Sequence, residues 1–414
     1  MEESQINNSS TKLEFPDDTI EDSESDNNPT TIIDLPDDCL IFIFKHLTTE
    51  HDRVSFGLTC SKWLDLQNRN RQSLQFDCSL TYTKHLFRNP YMINTYDLHK
   101  TLSRYQHLRS LSLSGCTTLP DSGLKLLQYS GSNLRALHLD CCFKISDNGV
   151  SFAASGCPLL KFISLYRCNV TDVGLESLAK FCSGLEDVNL TYCLGITDSG
   201  INSLVRNCVH LYGIRISNCR NIKGVGFRGC SRSLAYLEAE SCKLDPEGIA
   251  SMVSGGGLEY LNTSNLSWSI LGDGLSAIGG GFGKMIRVLN MRLCRTIRDE
   301  GVGLIARGCP SLVEWNLASC HEIRVLGWES IALNCNNLER LHVNRCRNLC
   351  DRGLEALKNG CKKLDVLHMN GCPQISTIAI ELFRLSRGDL IKEDEHFTIG
   401  PKWQFWWHQR IFVE

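Results

Sequence analysis

Over most of the chain, apolar residues return in one order, Leu-x-x-Leu-x-Leu-x-x-Cys. Leu108, Leu111, Leu113 and Cys116 form the first instance, and Leu134, Leu137, Leu139 and Cys142 the second. The series runs on to Leu364, Leu367, Met369 and Cys372, eleven units in all. The alternation before each cysteine has the two-residue period of a short strand. A second pattern follows the turn. Asp-x-Gly plus an aliphatic residue, as in Asp121-Ser122-Gly123-Leu124 and Asp147-Asn148-Gly149-Val150, opens a stretch with apolar residues at i, i+3 and i+4, such as Leu175, Leu178 and Ala179. That spacing predicts an amphipathic helix. The aspartate at its start is expected to accept backbone N–H groups and to suit the positive end of the helix dipole. Cys157, Cys182, Cys208, Cys309, Cys335 and Cys361 close these helices, and Pro158 and Pro310 discourage two of them from continuing.

Each unit therefore reads as strand, turn and helix. Successive turn cysteines lie 26, 26, 25, 26, 23, 52, 26, 26 and 26 residues apart, the 52 being two periods with Leu266 in the missing cysteine's place. Such a period with this apolar signature marks a leucine-rich repeat. Stacked parallel strands repeat at about 4.8 Å whereas packed helices need about 8–10 Å, so the stack must bend with its strands on the concave side. The expected fold class is α/β: a leucine-rich-repeat horseshoe solenoid of about eleven repeats over residues 108–386. Residues 73–107 read as linker and N-terminal cap, and 387–414 as C-terminal cap or tail. The pattern resembles the cysteine-containing subclass of these repeats. Two stretches depart from it. Lys223-Gly224-Val225-Gly226 and the glycines at 255–257 and 279–281 interrupt the middle units, and the unit after Cys320 lacks the aspartate.

Residues 31–72 follow another pattern. Leu35-Pro36 precedes Asp37-Asp38 in an expected first helical turn; Leu40, Ile43, Phe44 and Leu47 make an apolar stripe. After a polar turn, a second helix is expected to carry Val54, Leu58, Trp63 and Leu64. A unit of about 40 residues buries too little surface to be comfortably stable alone and is expected to dock on a partner through its exposed apolar residues. The Leu-Pro opening, the spacing of Ile43-Phe44 and Leu47, and the Cys60-x-x-Trp63 ending resemble the F-box motif. With the repeats behind it, the chain is similar to the plant F-box/LRR-repeat proteins, preceded by a small all-α F-box. That resemblance implies the substrate receptor of a Skp–cullin–F-box ubiquitin ligase. The F-box would hold the Skp-family adaptor and through it cullin and the RING subunit, and the repeats an unidentified target protein destined for ubiquitination and proteasomal degradation. Carried over by position, Leu35, Pro36, Ile43, Leu47, Cys60 and Trp63 are candidates for the adaptor interface or the core behind it, Leu35 and Pro36 being the better contacts. The alternative is a ligand-dependent receptor or repeat scaffold acting without ubiquitin transfer.

Composition narrows the chemistry. The 22 cysteines include no Cys-x-x-Cys pair, so the paired spacing of a zinc-bound RING is missing. Their repeat positions predict buried, inert thiols. Gly279-Gly280-Gly281-Phe282-Gly283-Lys284 lacks the spacer of a phosphate loop and has Met285 where Ser or Thr belongs. No catalytic residue, cofactor or metal is expected. Residues 1–30 hold nine acidic side chains against one lysine and read as a disordered acidic leader, with a functional acidic tail as the alternative. A net charge of −3, with no apolar run near the ~20 residues of a membrane span, argues against nucleic-acid and membrane partners. The opening residues lack the pattern of a secretory signal, so a reducing compartment is expected, nucleus and/or cytoplasm.

Side chains alternating with the buried leucines should project from the concave face. The middle rungs offer Tyr166, Arg215, Tyr236, Glu238 and Tyr260; the late rungs offer Arg292, Arg340, His342, Arg345 and His368 among several asparagines. They are the candidate target-binding residues, Tyr and Arg being enriched in binding hot spots. An ordinary solvated strand face is the alternative. His342 and His368 are expected to be a pair of surface histidines, and the aromatic stretch 401–407 to cover the last rung's open edge.

Overall fold

The computed structural model describes residues 32, 35–47, 49–76, 93–266, 274–396 and 398–400. The acidic leader and the aromatic stretch 401–407 lie outside the described residues. The chain forms two compact units, Met1–Gln67 and Asn68–Glu414.

The first unit is helical: α1 (Asp37–His46), α2 (Glu50–Thr59) and α3 (Ser61–Asn70), whose last turn crosses into the second unit. Pro36 precedes α1 and sets its entry, while Asp37 and Asp38 occupy the first turn. Thr49 caps α2, its hydroxyl accepting the Asp52 N–H. The second helix expected from the sequence is in fact two. Cys60 sits in extended backbone between them (φ −160°), and the break folds Trp63 back so that its ring stacks on Phe56 at 4.4 Å.

Among the described residues, the second unit carries a sheet of 13 parallel strands, each hydrogen-bonded to the next in chain order. The first seven are β1 (Ser73–Gln75), β2 (Ser110–Ser112), β3 (Ala136–His138), β4 (Phe162–Ser164), β5 (Asp187–Asn189), β6 (Gly213–Arg215) and β7 (Tyr236–Glu238). The rest are β8 (Tyr260–Asn262), β9 (Val288–Asn290), β10 (Glu314–Asn316), β11 (Arg340–His342), β12 (Val366–His368) and β13 (Ile391–Lys392). Strands β2–β12 belong one each to the eleven repeats; β1 and β13 add a strand at either edge. Register is strict: Leu111, Leu137, Ile163 and Val188 face one another in series, and the central residue of each later strand continues the column. That column is buried against the helices as one continuous core. On the other face of the same strands, Ala136, Phe162, Tyr236 and Tyr260 make a separate small cluster. The architecture is that of a leucine-rich-repeat solenoid, and the irregular middle units replace helix by short 3-10 turns at Val225–Phe227, Gly274–Gly279 and Gly283–Met285.

Two ladders of polar contacts tie rung to rung. Cys142 Sγ donates to Leu113 O at 3.1 Å, Cys168 to Leu139 O at 3.0 Å and Cys193 to Leu165 O at 3.0 Å; the same contact recurs up to Cys372 and Val343 O at 3.2 Å. Cysteine is thus small enough for the turn and able to satisfy a buried carbonyl of the previous rung. The aspartates behave differently from the expectation. Each serves the next rung's helix: Asp147 accepts from Thr171 N (2.8 Å), Thr171 Oγ1 (2.6 Å) and Gly174 N (3.1 Å). The glycine of Asp-x-Gly leaves room for that carboxylate, since a Cβ at Gly174 would lie 2.7 Å from Asp147 Oδ1.

Candidate functional site

In the helical unit, Leu40, Phe44, Phe56, Trp63 and Leu66 form the core, and Leu35, Ile41, Ile43, Leu47 and Cys60 pack half-buried against it. Of the six sequence candidates, Trp63 is therefore a core residue, Pro36 is exposed, and Leu35, Ile43, Leu47 and Cys60 lie between. Lys62 Nζ reaches Leu35 O (3.1 Å) and Asp37 (3.5 Å), fastening the start of α1 to α3. The most exposed large apolar side chains of the helices are Phe42 on α1 (64%) and Leu58 on α2 (78%), with Val54 beside them in rank. Sequence reasoning passed over Phe42. The available signal was its position off the Leu40, Phe44, Leu47 stripe, which leaves an aromatic residue on the wrong side of a helix for burial.

On the strand face of the second unit the middle candidates are internally paired. Tyr236 and Tyr260 stack at 4.3 Å and 7°, both buried, and the Tyr236 hydroxyl donates to Glu238. Burial, together with Tyr260 and Glu238, pushes the Tyr236 phenol up, and burial followed by Glu238 does so for Tyr260. Arg215 donates to the fully buried Asp187 at 2.7 Å, with its guanidinium 5.9 Å from the Tyr236 ring. Tyr166 meets Tyr192 edge-on at 5.9 Å, and the Arg167 guanidinium lies over both rings. Arg292 is half-buried.

The late rungs differ from the sequence reading. His342 and His368 stack at 4.2 Å but are not surface residues, with exposures of 1% and 6%. His342 Nε2 contacts Glu314 Oε1 at 2.9 Å, and Arg340 donates to the other Glu314 oxygen at 3.2 Å. Burial would raise the Glu314 carboxyl, but the hydrogen bonds from His342 and Arg340 outweigh it and hold the group below its ordinary value. The cover over these histidines is the chain's own residues 393–396 and 398–400, which follow β13 and run back over the strand face. Asp394 bridges His368 Nδ1 and His396 Nε2, both at 2.8 Å. The ligand atoms of this trio lie within 4.8 Å of one another, and each Asp394 oxygen is taken by an imidazole. Burial and the neighbouring His342 lower the His368 pKa despite Asp394. A cleft of about 460 Å³ remains between this segment and the floor made by Glu314, Arg340, His342 and His368.

Both surfaces offer side chains for binding: exposed apolar groups on the helical unit, and aromatic and charged groups on the strand face. The strand-end cysteines from Cys116 to Cys346 are buried, and burial pushes Cys168, Cys219 and Cys294 up to about 12, far from a reactive thiolate. No described helix is long and apolar enough to cross a membrane.

Comparison with known proteins adds the lineage. The F-box-like family profile matches residues 32–72, and the Leucine Rich repeat profile matches 106–127, 156–179, 284–306 and 334–358. The chain is 60% identical over 388 residues to F-box/LRR-repeat protein 12 of Arabidopsis thaliana, covering 93% of this chain and 98% of that protein. Among solved structures it is similar to the yeast Rad7 and Elc1 complex (TM-score 0.40, 18% identity, 83% of this chain and 90% of that one). It is also similar to an internalin of Listeria monocytogenes (TM-score 0.48, 18% identity, 64% and 69%). Both structural likenesses are too remote to carry function.

Proposed function

The chain belongs to the F-box/LRR-repeat proteins, and on that premise we propose that it is the substrate-recognition subunit of a Skp–cullin–F-box ubiquitin ligase. The observation that carries the proposal is a three-helix F-box-like unit that closes a five-residue core yet leaves Phe42 and Leu58 in solvent. So small a unit gains stability by covering such side chains, and apolar anchors of this kind supply most of an interface's energy. Phe42, Leu58 and Pro36 are assigned to the Skp-family adaptor, with Leu35, Ile43, Leu47 and Cys60 shaping the surface from behind and Trp63 holding the core. The adaptor brings cullin and the RING subunit; the strand face of the repeats holds a target protein. In this role the chain needs no reactive group of its own. It raises the effective concentration of target lysines near a charged conjugating enzyme, which is a positioning effect. The reading places the protein in a reducing compartment, nucleus or cytoplasm.

Affinity capture with the proteasome blocked tests this, comparing the intact chain with one lacking residues 32–72. Adaptor and cullin should be captured only by the intact chain, with target protein held by both. Equal capture of adaptor by the deleted chain would overturn the assignment, and target binding without ubiquitination in a reconstituted ligase would favour a scaffold.

A further inference from the structure

Residues 393–396 cross the strand face in the reverse of repeat order, and side-chain amides from three successive rungs donate to their backbone carbonyls. Asn370 reaches Glu393 O (3.3 Å), Asn344 reaches Asp394 O (3.1 Å) and Asn316 reaches His396 O (3.2 Å). Gly400 then lies so close to the Tyr260 ring that a Cβ there would come within 2.5 Å of a ring carbon. Asn316 is held from behind as well, its Oδ1 accepting the Ala318 N–H at 3.0 Å, so the donor aimed at the segment is fixed in place. A carbonyl read in this way belongs to any extended chain, whatever its side chains. The side chains add a sign. Glu393, Asp394 and Glu395 are consecutive acids; Asp394 meets His368, and Glu395 pairs with Arg345 at 2.8 Å. Arg345 also lines a cleft of about 590 Å³ with Arg292, Arg295, His321 and Arg347, a concentration of positive charge beside the acidic segment.

The segment is held by hydrogen bonds and by ion pairs that each keep one partner open to solvent, Asp394 (57%) against buried His368 and Arg345 (65%) against Glu395. Contacts of that kind contribute little each and exchange readily with equivalent ones. The open volume left beneath it shows that it is laid on the face without filling it.

We propose that the strand face over β8–β12 is a binding site for an extended acidic peptide segment, and that residues 393–400 are its built-in occupant, which a target segment replaces. This rests on the reading of the strand face as the target surface and narrows it to one ligand chemistry. The occupant acts as an intramolecular competitor, so apparent affinity for an outside segment is reduced by the fraction of molecules in which the site is open.

The test uses the full chain and a labelled synthetic peptide copying residues 390–400. In the intact chain the tethered segment should mask the site. In a full-length variant with Asp394→Ala, Glu395→Ala and His396→Ala, the peptide should bind about tenfold or more tightly than to the intact chain. Adding Asn344→Ala should remove that gain, as should lysine in place of the three acids of the peptide. Equal binding by intact and substituted chains, or by acidic and lysine peptides, overturns the proposal. Should the triple variant not fold, Arg345→Glu alone, at an exposed side chain, serves instead. It loosens the tethered segment and the acidic peptide alike, so a peptide carrying arginine at the position of Glu395 should bind it about tenfold or more tightly than the acidic peptide does; equal binding of the two peptides overturns the charge pairing. Adaptor capture is measured on the same preparations. Retained capture with no gain in peptide affinity overturns the peptide site alone, and a gain without capture overturns the ligase reading alone.

Discussion

Asp147 shows what one residue does for a stack of repeats. Its three hydrogen bonds all go to the next rung, capping a helix about 25 residues away in sequence rather than its own. Asp147→Ala should lower stability by about 2 kcal/mol in a denaturant titration, the cost of a lost cap plus unsatisfied N–H groups. Gly174→Ala should cost about 1–3 kcal/mol, because its methyl would meet both that carboxylate and Val170. The cysteine ladder makes a chemical prediction. With the turn thiols buried and their pKa values raised, mild alkylation should label exposed Cys39 well before Cys168, Cys219 or Cys294, read by mass spectrometry. Comparable early labelling of the ladder would contradict the burial. The cysteine spacing and the Asp-x-Gly pattern were plain in the sequence. Which rung the aspartate serves was not, because a periodic pattern looks the same whether a side chain bonds within its unit or to the next.

Elements were legible wherever one period governed them. The strands and most repeat helices follow from the alternation and the i, i+3, i+4 stripe, and valine in the aspartate's place at Val325 did not prevent the helix Val325–Asn334 from forming. The break between α2 and α3 was hidden because Val54, Leu58, Trp63 and Leu64 are all apolar, and only the extended backbone at Cys60 separates an exposed pair from a buried Trp63. The segment after β13 carries a pH dependence. His368 faces His342, Asp394 and His396, and its folded pKa lies below the ordinary 6.5. The unfolded chain therefore takes the proton first, so His368's contribution is complete above pH about 6.5 and is lost as the pH falls through its lower folded value. His321, lowered by burial and by Arg347 and Arg295, adds to the same slope. Thermal midpoints should fall on acidification through this window, and His368→Gln should flatten the slope by its share; an unchanged slope in that variant would contradict the assignment.

At the scale of the whole molecule, the sequence separated a short helical unit from a long one-dimensional stack, because their apolar periods differ. It placed His342, His368 and several asparagines on the strand face but could not foresee what covers them: the hydrogen bonds to residues 393–396 reach back over 23 to 80 residues of sequence, and no repeat encodes that contact. The strand face is therefore partly covered from within, while the helical unit leaves the apolar side chains of Phe42 and Leu58 uncovered. The division of labour proposed here turns on those anchors. The direct measurement is the affinity of purified Skp-family adaptor for the full chain and for the Phe42→Ala, Leu58→Ala double variant, with the melting of the repeats as a control on folding. The account predicts a loss of at least about a hundredfold with the repeat transition unmoved, as expected for two hot-spot side chains. Undiminished affinity in the double variant would contradict it.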